Sequence, residues 1–361
     1  MTGDPAPTLR IVAWEVTRRC PLNCAHCRGA ARDEDYAGEH STGEGMRLID
    51  GIASFASPIL ILTGGEPMSR GDVYDLARHA TGRGLRVAMS PCGAMINPGT
   101  ARQIKGAAIQ RISISLDGAT AETHDASRGV PGAFNAAFAG IGHARDAGIE
   151  FQINTTVTRR NLAELPAILD LAMELGAAAF DVFMLVPVGR GVALKDEAIS
   201  AEDYERTLNW IYDKNREQSI PIKPTCAPHY YRVLRQRETA AGRTVTPQSH
   251  GRLATTRGCL GGQGFVFVSH RGVLQICGFL DVPCGDVREA GFDFRKLYET
   301  SPVFREVRAA AAYHGKCGVC EYHNVCGGCR ARAHALSGDY LGDEPFCVHV
   351  PEALREGDAD G

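Results

Sequence analysis

The sequence predicts an α/β protein built on a parallel sheet, and three features carry that expectation. Apolar runs of buried-strand length recur six times between Ile11 and Val186. Segments of helical length separate them, so right-handed crossovers bring successive strands side by side in parallel. Beyond these units the chain changes character, with eight of its thirteen cysteines placed from Cys259 to Cys347.

The elements follow in order. Ile11 to Val16 is the first strand and leads into Cys20-Pro-Leu-Asn-Cys24-Ala-His-Cys27. A helix from about Gly43 to Phe55 precedes the strand Ile59 to Thr63, which ends in Gly64-Gly65-Glu66-Pro67. A helix over Val73 to Gly82, a strand over Leu85 to Ser90, a short helix over Gly99 to Gly106 and a strand over Ile112 to Leu116 come next. That strand ends at Asp117-Gly118. A helix over Ala133 to Ala147 and a strand over Phe151 to Val157 lead to a helix over Leu162 to Leu175, with Pro166 in its first turns, where proline is tolerated. Ala179 to Val186 is the sixth strand. Gly189 to Ala201 is a loop, and Tyr204 to Gln218 is an amphipathic helix. Pro221 and Pro224 then fix an extended approach to Cys226-Ala227-Pro228-His229-Tyr230, after which Arg232 and Arg235 share one helix face. Residues 238–257 lack apolar periodicity and read as a loop, either a lid or a linker. Phe265 to Val268, the turn His270-Arg271-Gly272 and Val273 to Ile276 form a β-hairpin.

Composition narrows the function. With 361 residues, 44% hydrophobic and 22% charged, the chain has the make-up of a globular protein. Its apolar stretches are strand length, so no membrane span is expected. Met1 to Arg10 lacks the basic start and apolar core of a signal peptide, which makes the cytoplasm the expected location. A net charge of -3 with interspersed signs gives no electrostatic basis for nucleic-acid binding. In a reducing compartment, thirteen cysteines favour metal ligation over disulfides.

Cys20, Cys24 and Cys27, spaced C-x3-C-x2-C, place three thiols in one short loop. A 4Fe-4S cluster held by three cysteines leaves one iron open to a small-molecule ligand. A structural zinc ion wants a fourth ligand, and His26, lying between two of the cysteines, can hardly reach the same ion. Gly64 and Gly65 let backbone approach a ligand closely, and exposed carbonyls with Glu66 can accept hydrogen bonds from an ammonium group. For the Gly-Gly pair alone, a plain strand-to-helix turn is the competing reading. The C-terminal third carries Cys259, Cys277, the run Cys317-x2-Cys320-x5-Cys326-x2-Cys329, and Cys347. A zinc knuckle on the central four is the alternative there, and it leaves Cys259, Cys277 and Cys347 unexplained. Cys226 and Cys284 are either further ligands or buried, unreactive thiols, and Cys92 is taken as the latter.

The cysteine loop with the strand before it, joined to the Gly64 to Pro67 stretch, resembles the radical S-adenosylmethionine (SAM) superfamily. The pattern C-x12-G-x4-C, then C-x2-C-x5-C-x2-C, a gap and a last cysteine resembles that superfamily's SPASM extension, although the family more often has three residues before the last cysteine of the central run. The resemblance implies a partial (β/α)6 TIM-like barrel with a C-terminal cysteine-rich α+β SPASM domain. The expected domains are the barrel at 8–220, a connector and loop at 221–257, the auxiliary domain at 258–350 and a disordered tail at 351–361. Cys20, Cys24 and Cys27 would hold the 4Fe-4S cluster whose free iron chelates the amino and carboxylate groups of SAM. Reduction then cleaves the sulfonium and yields a 5'-deoxyadenosyl radical that takes hydrogen from the substrate. Gly64, Gly65, Glu66 and Pro67 would bind the SAM amino group. At the strand ends, Ser115, Asp117, Asn154 and Thr156 would bind its carboxylate and ribose, and the backbone near Val186 would flank the adenine. Arg128 would pair with the carboxylate. One auxiliary iron-sulfur cluster is implied on Cys317, Cys320, Cys326 and Cys347. Cys259, Cys277 and Cys329 would contribute to another, whose fourth ligand is missing, is Cys284, or comes from elsewhere.

Ala13 to Thr17, Cys27-Arg28, Pro224 to Tyr230 and Cys326 to Ala333 are similar to the branch of SPASM enzymes that acts on tetrapyrroles, and most similar to its haem-forming members. That resemblance implies oxidative decarboxylation of two propionates of iron-coproporphyrin III to vinyl groups, giving protohaem. An electron donor would start each radical, and an auxiliary cluster would pass the released electron to an acceptor. On the substrate side the candidates are Arg232, Arg235, Arg330 and Arg332 for propionates, with Cys226 nearby and His229 as a ligand of the porphyrin iron. The alternatives are the enzyme that trims didecarboxysirohaem or its denitrification-haem relative, then a peptide maturase, then a metal-binding scaffold without catalysis.

Overall fold

Alternation along the central strands decides which face meets the helices. In the computed structural model, which describes residues 6–355, seven strands run parallel in chain order: β1 (Ile11–Thr17), β2 (Ile59–Gly64), β3 (Arg86–Met89), β4 (Arg111–Ser115), β5 (Glu150–Val157), β6 (Phe180–Met184) and β7 (Ile222–Thr225). On β5, Phe151, Ile153, Thr155 and Val157 are buried towards the helical layer, while Gln152, Asn154 and Thr156 are partly exposed. β4 repeats the pattern with Ile112 and Ile114 against Ser113 and Ser115. A filled barrel would show apolar residues on both faces, so the polar inner face marks a cavity-lining wall.

The helices lie in the crossovers as α1 (Thr42–Phe55), α2 (Val73–Gly82), α3 (Pro98–Gly106), α4 (Ala121–Arg128), α5 (Ala133–Asp146), α6 (Leu165–Glu174) and α7 (Ala201–Glu217), followed by α8 (Tyr230–Ala240). Helix α1 starts at a capping box in which Ser41 and Glu44 satisfy each other's backbone amides. Its Gly45 is required by packing, because a Cβ there would lie 2.8 Å from the Trp14 ring and 2.9 Å from Leu76. Trp14 is fully buried, which anchors β1 at the centre of the core.

The six expected strands are present, and the sheet continues past them at both edges. Pro221 and Pro224 extend the chain as foreseen, and the extended segment pairs with β6 as β7. An edge strand is where proline's missing amide is tolerated. At the other edge the hairpin of β8 (Phe265–Val268) and β9 (Leu274–Gln275) joins the same sheet, with β8 parallel to β1 from Ile11 opposite Phe265. The helix Arg330–Ser337 reaches the far side, where Arg332 donates to the Met184, Leu185 and Cys226 carbonyls at the ends of β6 and β7. The cysteine-rich segment therefore touches both margins of the open barrel.

Three local features differ from the sequence reading. Helix α4 occupies a stretch to which the sequence assigns no element, because AETHDASR has no apolar stripe and is held by the Thr120 cap and burial of His124 and Arg128. Residues 238–257 are not uniformly loop: 238–240 finish α8, and Pro247–His250 and Arg252–Thr255 form helical turns. Glu352–Arg355 is also a helical turn, and residues 356–361 of the expected tail lie outside the described residues. No helix among the described residues is long and apolar enough to cross a membrane.

Candidate functional site

The loop from Cys20 to Cys27 leaves the carboxyl end of β1 and is held by parts of the chain far away in sequence. The amides of Asn23 and Ala25 donate to the Arg128 and Ser127 carbonyls, so the loop supplies partners for the free carbonyls at the end of α4. That contact requires Gly129, whose φ of 67° is left-handed and whose position would put a Cβ 2.4 Å from the Asn23 oxygen. From the other side Arg190 donates to the Cys24 carbonyl at 2.8 Å and the Ala31 carbonyl at 2.6 Å, while its own amide donates to the Cys27 carbonyl. Arg190 has no motif around it in the sequence, which is why it escaped notice.

The three thiols fit an iron-sulfur cluster. Cys20 and Cys24 are buried, Cys27 is partly exposed, and none forms a disulfide. Two donors point at sulfur, the Ala31 amide at 3.4 Å from Cys27 Sγ and Arg128 Nη1 at 3.6 Å from Cys24 Sγ. Burial pushes the Cys20 thiol up to about 12, a penalty on the thiolate that a bound cation reverses. Cys92, read as a buried, unreactive thiol, is partly buried and packs against this loop.

Asp117, at the end of β4, organises the adjoining wall. Its carboxylate sits 2.7 Å from Arg128 Nη2 and 3.3 Å from His26 Nε2, and it accepts from the Thr156 amide at 2.8 Å. Burial opposes its charge, but Arg128, His26 and the Thr156 amide outweigh that and hold the carboxyl below its ordinary value. Arg128, expected to pair with a SAM carboxylate, thus already has an internal carboxylate, which a buried guanidinium needs to repay its desolvation. Beside this pair, a hollow is lined by Ala25, His26, Ser127, Thr156 and Thr158 among others. Ser115 and Asn154 face each other across the β4–β5 pairing on the inner wall, and Val186 is buried just past β6.

The Gly64 to Pro67 turn owes its glycines to the chain itself. A Cβ on Gly64 would lie 2.1 Å from the Thr17 oxygen, and one on Gly65 would lie 2.3 Å from the Arg18 oxygen. The Gly65 and Glu66 amides donate to Thr17 and Arg19, so the turn is laced to the root of the cysteine loop. Glu66 is fully buried and accepts from the Met68 and Cys92 amides at 2.9 and 2.6 Å. Through these two bonds its carboxylate, expected to meet an ammonium group, also shapes the turn.

In the C-terminal region the thiols fall into two groups. Cys317, Cys320, Cys326 and Cys347 line one hollow together with His229, Arg232 and His349. Cys329 does not line it and lies against Cys226 instead, apart from the three cysteines it would join in a zinc knuckle. Cys259 and Cys277 approach Cys329 as well. Arg330 Nη2 lies 3.5 Å from Cys317 Sγ and the Gly328 amide 3.4 Å from Cys326 Sγ, so donors face sulfur here too. Among the described residues, Cys320, Glu321 and His349 also bring ligand atoms within 4.8 Å of one another.

The cationic candidates for substrate are mostly committed inside the protein. Arg232 forms a two-armed pair with Glu205 at 2.8 and 2.6 Å. Arg330 donates to the Tyr340 and Gly342 carbonyls, and Arg332 pairs with buried Glu344 at 2.9 Å. Arg235 is partly exposed and donates to the Tyr231 and Ala254 carbonyls. His229 is fully buried, with Nδ1 2.9 Å from the Tyr204 hydroxyl and Nε2 2.6 Å from Glu344. Full burial, with Nδ1 bonded to Tyr204 and Nε2 against the Glu344 carboxylate, corrects the expected iron ligation by His229. Burial opposes its charge, but Glu344 and Cys347 raise His229 to about 9. Arg18 and Arg28, partly exposed beside the cysteine loop, are both paired to buried Glu15. Arg28 also stacks over Phe267 of β8 at 4.3 Å.

Comparison with known proteins agrees with this geometry. The model of the Radical SAM superfamily matches residues 14–172. The AdoMet-dependent heme synthase of Nitratidesulfovibrio vulgaris is 52% identical over 97% of this chain and 95% of its own length. The Fe-coproporphyrin III synthase of Methanosarcina barkeri is 30% identical, over 95% of this chain and 89% of that protein. Among solved structures, Streptococcus suis SuiB bound to the precursor peptide SuiA superposes with a TM-score of 0.75 at 15% identity, covering 96% of this chain and 77% of that one. At that identity the likeness is one of fold.

Proposed function

Because the chain belongs to the radical SAM superfamily, in the family of the AdoMet-dependent heme synthases, we propose that it converts iron-coproporphyrin III to protohaem. Each of two propionate side chains loses a hydrogen from its β-carbon, carbon dioxide and one electron, and becomes a vinyl group. The observation that carries this reading is near-complete alignment at 52% identity with a heme synthase, joined to a loop with three free cysteines, Cys20, Cys24 and Cys27. Fe-coproporphyrin III synthase is the runner-up, and its identity of 30% favours the first reading.

Cys20, Cys24 and Cys27 would hold the SAM-binding 4Fe-4S cluster, Cys317, Cys320, Cys326 and Cys347 an auxiliary one, and Cys259, Cys277 and Cys329 part of a second. Bound in these sites, SAM and the clusters supply sulfonium cleavage, hydrogen abstraction and acceptance of the released electron. The chain's own residues do the rest. Arg190, Gly129 and the end of α4 fix the loop, and Asp117 holds Arg128 against Cys24. Ser115, Asn154, Thr156 and the backbone at Val186 present polar and apolar contacts along the inner wall for SAM. Arg28 and Arg18 are the guanidinium groups placed to meet propionates beside the loop. An electron donor and an electron acceptor act as partners, and the cytoplasm is the proposed location.

Anaerobic incubation of the reconstituted protein with SAM, a reductant and iron-coproporphyrin III, followed by mass spectrometry, tests the proposal. Loss of two carboxyl groups with formation of 5'-deoxyadenosine is expected. Turnover of didecarboxysirohaem without turnover of iron-coproporphyrin III would establish the runner-up instead.

A further inference from the structure

Cys226 lies on the connector after β7, outside both cysteine runs. We propose that its thiolate is the fourth protein ligand of the auxiliary cluster held by Cys259, Cys277 and Cys329, an assignment that rests on the cluster-binding reading above. Three observations place it there. Its thiol lies against that of Cys329, and the Cys277 thiol is within electrostatic reach. Cys259 and Cys277 lie beside each other, since a Cβ added to Gly261 would lie 3.6 Å from Cys259 Sγ and 3.7 Å from Cys277 Cβ, and both are within electrostatic reach of Cys329.

The backbone is the second observation. Cys226 adopts φ 57°, a left-handed conformation that side chains other than glycine rarely take. Such strain persists where the surroundings over-determine it, commonly at a functional site. Here they do: the Cys226 carbonyl accepts from Arg332 Nη2 at 3.0 Å and from the Tyr204 hydroxyl at 3.3 Å, and both donors are fully buried. Third, Cys284 is directed elsewhere. Its thiol donates to the Val282 carbonyl at 3.5 Å and faces Ser301 and Arg308. Four protein thiolates would leave no open iron at this site, so it would relay electrons without binding the substrate, and it would tie the last barrel strand to the cysteine-rich segment.

The test uses full-length protein reconstituted anaerobically, with iron and sulfide per chain, electron paramagnetic resonance and Mössbauer spectra as readouts. Cys226→Gly suits the left-handed backbone and is expected to fold with an unchanged melting temperature, while one four-iron site becomes a three-iron site on oxidation. Cys226→Ser is expected to keep the iron with an altered resonance, and Cys284→Ala to match the wild type. Wild-type iron and spectra in Cys226→Gly, or a three-iron signal in Cys284→Ala, would overturn the assignment. Cys329→Ala separates the two ideas. If it loses iron while Cys226→Gly does not, only the Cys226 ligand fails; if neither changes, the cluster itself is absent and the underlying reading fails.

Discussion

The two cysteine regions of this molecule are assembled in opposite ways. Cys20, Cys24 and Cys27 come from one eight-residue stretch, and distant elements only hold that stretch in place. Cys226, Cys259, Cys277 and Cys329 come from four separate segments, which the β8–β9 hairpin on β1 and the Arg330–Ser337 helix on β6 and β7 draw towards one another. A site of the first kind is written in local spacing. A site of the second kind is written in the tertiary fold.

Substitutions can sharpen that contrast. The largest effect is expected from Cys20→Ala, which removes one of three clustered ligands and brings SAM cleavage to the level of protein-free controls, measured as 5'-deoxyadenosine. Next comes Arg332→Met, which removes one of the two cations beside buried Glu344 and leaves His229 as the other. Breaking a buried pair costs about 3–5 kcal/mol, to be read from chemical denaturation. If stability is unchanged, the docking of the C-terminal helix does not depend on that pair.

A pH effect belongs to the first region. His124 accepts a hydrogen bond from the Asp117 amide through Nδ1, so it must be neutral there. Burial, then Arg128, lowers it from 6.5 to about 4. The unfolded chain takes up this proton first, so the contribution is present above about pH 6.5 and is lost as pH falls towards 4, by up to about 3 kcal/mol. His124→Asn retains an acceptor and is expected to flatten that part of the stability profile. The smallest effect is expected from Gly129→Ala, at about 1–2 kcal/mol for the left-handed backbone, with the cysteine loop displaced by the Asn23 contact. An unchanged melting temperature would show that the end of α4 does not set the loop.

How much was legible in the sequence follows the same division. Strand order and the parallel sheet were readable from apolar runs, since burial on the helical face needs only a local pattern. Helix α4 was not, because AETHDASR carries no apolar stripe and depends on Thr120 and on Asp117 for its stability. The arginines misled for a related reason. Arg232, Arg330 and Arg332 looked like free cations on paper, whereas each is buried against partners 10 or more residues away in sequence. Arg190 went unseen because no spacing links it to Cys24, 166 residues earlier.

The central claim is a division of labour, in which the barrel loop starts the chemistry and the cysteine-rich segment completes the oxidation. Paired quantification of 5'-deoxyadenosine and protohaem in the wild type and in Cys320→Ala tests it most directly. The account predicts two 5'-deoxyadenosines per protohaem in the wild type, one for each propionate. In the variant it predicts continued SAM cleavage with little vinyl product. Protohaem formed by Cys320→Ala at the wild-type rate and ratio would contradict it.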